Sequence, residues 1–203
     1  MIAIVDYDAG NIKSVEKALQ YLGEKPVITR DADTLLRADK VIVPGVGAFG
    51  GAMELMNRFG LPDTLHEIVE RETPVLGICL GLQLFFESSE EAEGVKGLSL
   101  LPGKIVRIPS QEGYKIPHMG WNSIQVNKSS RLMKGIEDGS YVYFVHSYYL
   151  MAKRPEDVAA TTDYVVPIHA AAERGNVFAT QFHPEKSGEV GLRILKNFIA
   201  IEN

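Results

Sequence analysis

Twelve residues, Val75 to Phe86 (V-L-G-I-C-L-G-L-Q-L-F-F), constrain the fold more than any other stretch. Val75 to Ile78 reads as a buried strand and Leu80 to Phe86 as the opening of a helix, so only Cys79 is left to make the turn. A sharp strand-to-helix elbow does this, and Gly77 and Gly81 keep the neighbouring backbone from clashing. Such a turn lifts one side chain above the sheet. A thiol there meets the N–H groups of a helix N-terminus, which favour the reactive thiolate. A single cysteine in an apolar run is ordinarily a small buried hydrophobe. The reactive reading therefore depends on what the rest of the chain brings to the same edge.

The flanking pattern supplies the sheet. Ile2–Val5, 26–29 and Lys40–Val43 are short apolar runs. Between them lie helical spacings (Ile12, Val15, Leu19, Leu22, closed by Gly23) and a short helix over 31–38. Helical stretches follow over 53–59 and 62–71. Strand and helix in alternation predict a parallel sheet covered on both faces, with ligands at the carboxyl ends of the strands. Beyond residue 100 the rhythm changes. Strands are expected over 104–108, 122–126, 141–145, 158–161, 166–170 and 176–181, without long helices between them, before a closing helix over 187–201. The expectation is one α/β domain over 1–203, flavodoxin-like and doubly wound, with a mainly parallel central sheet and a C-terminal antiparallel extension. The acidic stretch 87–97 (E-S-S-E-E-A-E-G-V-K-G) is expected to be a solvated loop without a function.

Composition narrows the class. The net charge of −5, with no cluster of Lys and Arg, argues against a nucleic-acid surface. One cysteine makes no internal disulfide, which fits a reducing compartment. The longest apolar run is too short for a bilayer, and Met1–Asp6 lacks a basic n-region. A cytoplasmic protein that binds neither membrane nor nucleic acid is expected, with no cofactor and no metal.

Two more stretches carry chemistry. P-G-V-G-A-F-G-G over 44–51 exposes backbone amides at a strand end. No Gly-Lys-Ser/Thr follows, so it is not a phosphate loop, and amides facing an elbow nucleophile make an oxyanion hole. His183-Pro184-Glu185 follows the last strand. Pro184 stiffens the turn, and an extended turn puts His183 and Glu185 on one side, with the carboxylate orienting the ring. Nucleophile, base and orienter are the parts needed for acyl transfer. His146 has no carboxylate two positions on, so His183 is the expected base.

These motifs resemble the triad (class I) glutamine amidotransferases over essentially the whole length, on P-G-V-G-A-F-G at 44–50, G-I-C-L-G-L-Q at 77–83 and Q-F-H-P-E at 181–185. Within them the chain is most similar to the glutaminase subunits of imidazole glycerol phosphate synthases, on V-D-Y-D-A-G-N at 5–11, H-M-G-W-N at 118–122, F-V-H-S-Y-Y at 144–149 and H-P-E-K-S at 183–187. Asp8-Ala9 departs from the more usual Gly-rich pair. The resemblance implies that Cys79 forms a glutamyl thioester, with His183 and Glu185 as base and orienter. It implies an oxyanion hole from Leu80 and the Gly45-Val46-Gly47 loop, and glutamine contacts from Gln83, His146, Ser147 and Tyr148. It further implies ammonia transfer to a (β/α)8-barrel cyclase subunit in a heterodimer, allosteric activation by that partner, and interface positions at Asn11, Trp121 and Lys186. Read without it, Gln83 is a helix-surface residue, Tyr148 a packed aromatic, Trp121 a core residue and Lys186 an ordinary surface charge. Two other functions compete: a sister amidotransferase serving anthranilate, aminodeoxychorismate or pyridoxal phosphate synthesis, and a non-hydrolytic redox sensor or chaperone, which has no need of His-Pro-Glu.

Overall fold

The computed structural model describes residues 1–8 and 11–202. Ala9 and Gly10 of the 5–11 motif, and with them half of its Asp8-Ala9 departure, lie outside the described residues. The first half alternates β1 (Ile2–Val5), α1 (Ile12–Tyr21), β2 (Val27–Thr29), α2 (Ala32–Leu36) and β3 (Lys40–Gly45). Helices α3 (Phe49–Arg58) and α4 (Leu61–Glu70), then β4 (Val75–Cys79) and α5 (Leu80–Leu84), follow. The second half holds β5 (Ser88–Ser89), β6 (Gly103–Arg107), β7 (His118–Val126), β8 (Ser140–His146), β9 (Tyr148–Ala152), β10 (Val158–Tyr164), β11 (Val166–Arg174), β12 (Val177–Thr180) and α6 (Gly188–Ala200).

One path of the sheet runs β2-β1-β3-β4-β12-β11-β10-β7-β8. Its first five strands are parallel and the rest antiparallel. The period of two in the parallel strands sorts their side chains between two cores. Ala3, Val5, Val41, Val43, Val75 and Ala179 pack with α3, α4 and α5, while Ile2, Ile4, Ile42, Leu76, Ile78 and Phe178 pack with α1 and α6. The mainly parallel central sheet with an antiparallel extension is therefore as the sequence predicts.

Three local expectations change. Gly45 belongs to β3, opposite Cys79 in register, and Gly50 and Gly51 belong to α3, so only Val46–Ala48 link the two elements. Tyr148–Ala152 is a strand, β9, which the sequence hides because only Ser147 separates it from β8. The acidic stretch is pinned rather than loosely solvated: Ser88 and Ser89 pair with β6. Its carboxylates accept backbone N–H groups, Glu87 from Gly103 at 3.0 Å, Glu90 from Arg107 at 2.8 Å and Glu91 from Phe49 at 2.7 Å. Backbone donors at the two ends of β6 and at the start of α3 give these charges their partners.

The elbow is built by close approach. A Cβ on Gly81 would run into the Val43 carbonyl oxygen, and one on Gly77 would lie 2.7 Å from the Gly81 carbonyl carbon. Gly81→Ala should therefore destabilise the chain by about 1–3 kcal/mol, the usual cost of overpacking. Denaturant unfolding checks this, and an unchanged midpoint would contradict the packing described.

Candidate active site

Cys79 ends β4 with φ 55° and ψ −106°, a left-sided backbone that a non-glycine residue adopts only where its surroundings impose it. Its thiol faces the Val145 carbonyl oxygen and the Gln181 side-chain amide, each 3.9 Å away. Helix α5 has five residues, so its dipole is small and supplies less of the thiolate stabilisation than the sequence pattern suggests.

His183 arrives at the same edge because β12 runs parallel to β4, with Thr180 opposite Ile78. Its backbone is clamped: His183 N–H donates to Tyr143 O at 3.0 Å, and Ser187 Oγ–H donates to His183 O at 2.6 Å. His183 Nδ1–H donates to Glu185 Oε1 at 2.8 Å, and Asn11 Nδ2–H donates to the same oxygen at 2.7 Å. The expected extended turn is instead a single 3-10 turn over Pro184–Lys186, which brings the carboxylate back under the ring. Asn11, expected at a partner surface, spends its side chain on Glu185.

His183 Nε2 is buried without a hydrogen bond of normal geometry, although Cys79 lies near enough to act on the ring. Catalytic hydrogen bonds commonly tighten only with substrate in place. Burial by itself pulls His183 down. Hydrogen-bonding and charge interactions with Cys79 and with Glu185 outweigh it and raise the ring to about 9. Burial holds His146 down at about 3, against the pull of its bond to Tyr148 O, so His146 is neutral and no rival base.

A cavity of about 350 Å³ opens at this edge. Of the residues picked from the sequence, Cys79, His183, Leu80, Val46, Gly47, Gln83, His146, Ser147 and Tyr148 all line it. Gly45 and Glu185 do not: a side chain on Gly45, in β3, would strike Tyr7 Oη, and Glu185 reaches the site through the His183 ring. Gln83 is buried rather than on a helix surface, and its Nε2 donates to Tyr148 O at 3.2 Å and Gln181 Oε1 at 3.1 Å. The Tyr148 side chain packs against the core while its carbonyl meets Gln83. Trp121 is not core: it is 56% exposed, beside Tyr143, whose ring also lies 6.0 Å from Lys186 Nζ.

Sequence reasoning missed three residues. Glu91 is the one carboxylate lining the cavity among the described residues. Gln181 sits between Gln83 and the thiol; its place directly before Phe182-His183 was the available signal. Tyr7 is fully buried and donates to Pro44 O at 2.8 Å, pinning the end of β3; burial and then the charge at Cys79 push its hydroxyl well above the usual range.

An elbow cysteine, a histidine oriented by a carboxylate and a glycine-containing loop at one sheet edge are the parts that acyl transfer needs. The sequence matches the family model of class-I glutamine amidotransferases over residues 3–201, and the chain belongs to that family. It is similar to the imidazole glycerol phosphate synthase subunit HisH of Bacillus cereus strain G9842, 51% identical over 199 residues, covering 98% of this chain and 93% of that one. HisH of Chlorobaculum tepidum is 50% identical over 199 residues, covering 98% of each. A solved glutamine amidotransferase shares the fold with a TM-score of 0.77 at 19% identity, covering 98% of this chain and all (100%) of that one.

The charge arrangement has a measurable consequence. An ¹⁵N-imidazole titration should find the His183 midpoint near 9, and Cys79→Ala should lower it. An unchanged midpoint would mean that thiol and ring do not face each other. Because the folded-state value is raised, the stability His183 contributes is complete below about 6.5 and is lost as pH rises through about 9.

Proposed function

We propose that the chain is the glutaminase subunit of an imidazole glycerol phosphate synthase, acting through Cys79, His183 and Glu185. The observation that carries the catalytic assignment is His183, held by Glu185 at 2.8 Å and sharing a cavity with a cysteine on a strained elbow. The Cys79 thiolate attacks the side-chain amide carbon of glutamine. The tetrahedral oxyanion is met by Leu80 N–H and an amide of the Val46–Gly47 loop. The C–N bond then breaks as His183 Nε2–H protonates the departing nitrogen, leaving ammonia and a glutamyl thioester. His183, now neutral, takes a proton from water, which cleaves the thioester to glutamate and restores the thiolate–imidazolium pair. Glu185 keeps Nδ1 protonated throughout. Glu91 is the natural partner for the substrate's α-ammonium, as the one carboxylate on the cavity wall.

Near-half identity over the full length to HisH subunits favours the histidine pathway over the sister amidotransferases. The carboxylate-oriented His183 favours hydrolysis over a redox sensor or chaperone. The ammonia acceptor is proposed to be a (β/α)8-barrel cyclase, docked on the outer face of the β7–β8 ribbon. There Met119, Trp121 and Tyr141 stand 62%, 56% and 59% exposed, with Lys186 nearby. The same ribbon touches the site through Tyr143 O, bonded to His183 N–H, and Val145 O, beside the thiol. A partner on this face is thus mechanically close to the triad.

Cys79→Ala or His183→Ala should lower kcat for glutamate release by about 10⁴ or more, and Glu185→Gln by about 10²–10⁴. Full activity in Cys79→Ala would exclude the mechanism. A pull-down should retain the cyclase, and ammonium at alkaline pH should support synthesis by the partner without this chain.

The isolated chain should be a poor glutaminase. Gly47, at φ +109°, is the residue between β3 and α3 that lets the Val46–Gly47 peptide turn over cheaply. Partner binding would favour the turn that aims an N–H at the oxyanion. A thousandfold activation needs about 4 kcal/mol of differential affinity, and it should appear in kcat. Turnover measured alone, with partner, and with partner plus its nucleotide ligand decides this. Equal values rule out the switch, and a change confined to KM rules out the oxyanion version.

A further inference from the structure

His118 in β7 and His146 in β8 are paired in register, 3% and 5% exposed, and move no proton in the mechanism above. They are nonetheless bonded end to end. His146 Nδ1 is 2.9 Å from Tyr148 O, His146 Nε2 is 3.0 Å from His118 Nδ1, and His118 Nε2 is 3.3 Å from Asn122 Nδ2. His118 is also held flat between the Tyr164 and Phe144 rings, at 4.0 and 4.7 Å.

The hydrogens follow by elimination. Tyr148 O only accepts, so His146 Nδ1 carries a hydrogen. In a neutral ring Nε2 is then bare, and His118 Nδ1–H donates to it. His118 Nε2 is bare in turn and accepts from Asn122. Asn122 cannot turn its amide round, because Nδ2 also donates to Asp163 O at 3.0 Å and Oδ1 accepts from Ser123 N–H at 2.8 Å. Reversing the polarity would set His118 Nε2–H against Asn122 Nδ2, donor against donor. Burial keeps both rings neutral, pulling His118 down to about 4 as it does His146.

The chain ends at the substrate cavity. Tyr148 O takes its second hydrogen bond from Gln83 Nε2, whose other hydrogen goes to Gln181 Oε1. Gln181 Nε2 in turn faces Cys79 Sγ. Gln83 Nε2 is thereby fully used, which leaves Gln83 Oε1 as the atom of this amide available to a ligand.

We propose that Asn122, His118 and His146 are positioning residues for glutamine. Their one-way hydrogen-bond chain holds the Tyr148 carbonyl, which orients the Gln83 amide toward the substrate and sets Gln181 beside the thiol. The role rests on the glutaminase reading above. It also gives the β7–β8 ribbon, which carries Trp121 on its outer face and Asn122 on its inner face, a second physical link to the substrate wall.

The test uses the subunit in complex with its synthase partner. In ¹⁵N-imidazole spectra at neutral pH, both rings should be neutral Nδ1–H tautomers; an Nε2–H form or an imidazolium at either overturns the chain. His118→Phe keeps an aromatic ring in the stack and removes both nitrogens. It should raise KM for glutamine about tenfold, the worth of one buried hydrogen bond. kcat should stay within about twofold, and the rate of Cys79 alkylation by iodoacetamide, which needs no glutamine pocket, should not change. Asn122→Leu should raise KM by a smaller factor. An unchanged KM in folded His118→Phe overturns the proposal, as does loss of kcat and alkylation together with KM. If that variant does not fold, an unchanged KM in Asn122→Leu overturns it. An unsubstituted complex that releases no glutamate is the separate case in which the functional reading itself falls.

Discussion

The structure depends on how closely α5 approaches β3. Gly81 lies against the Val43 carbonyl, Gly77 against Gly81, and Gly45 against Tyr7 and Gly81. No side chain fits between them. This packing forces Cys79 into a positive-φ conformation that costs about 1–3 kcal/mol, held by apolar burial on both faces of the sheet. Leu80, Leu82 and Phe85 anchor one side and Ile78 the other. The placement of the thiol on the cavity wall and the direction of Gln83 both follow from that one close contact.

The second determinant is the change of strand direction at β12. It pairs parallel with β4 and antiparallel with β11. The segment Gln181–His183 therefore leaves the sheet at the edge where Cys79 stands, while β7 and β8 fold back to supply the far wall. Tyr143 and Val145 contribute carbonyls from that wall, so His183 and Cys79 each lean on an element of the antiparallel half. A shift of the β7–β8 ribbon would be felt at both.

Three buried histidines show how environment alone sets a role. His183, His146 and His118 all lie at 5% exposure or less. His183 has the Glu185 carboxylate at one nitrogen and the thiol near the other, and is driven toward the imidazolium. His146 and His118 have only carbonyl, amide and each other, and burial keeps them neutral. The same side chain is thus driven toward its charged form at one wall and kept a neutral donor–acceptor at the other.

What local geometry and apolar period can specify is written along the chain. The elbow at Cys79, the parallel strands sorted by alternation, the antiparallel second half and the His183–Glu185 pairing were legible because each rests on neighbours within a few residues. The tertiary structure alone decided what depends on contacts between distant segments. Glu91 reaches the cavity because Phe49 N–H captures its stretch from forty-two positions away. Asn11 turns to Glu185 rather than outward. β9 exists because β6 and β11 offer it edges. The order of hydrogens through His118 and His146 follows from partners on four strands. No local pattern encodes these, because a buried polar group takes whichever partner the packed fold brings within reach.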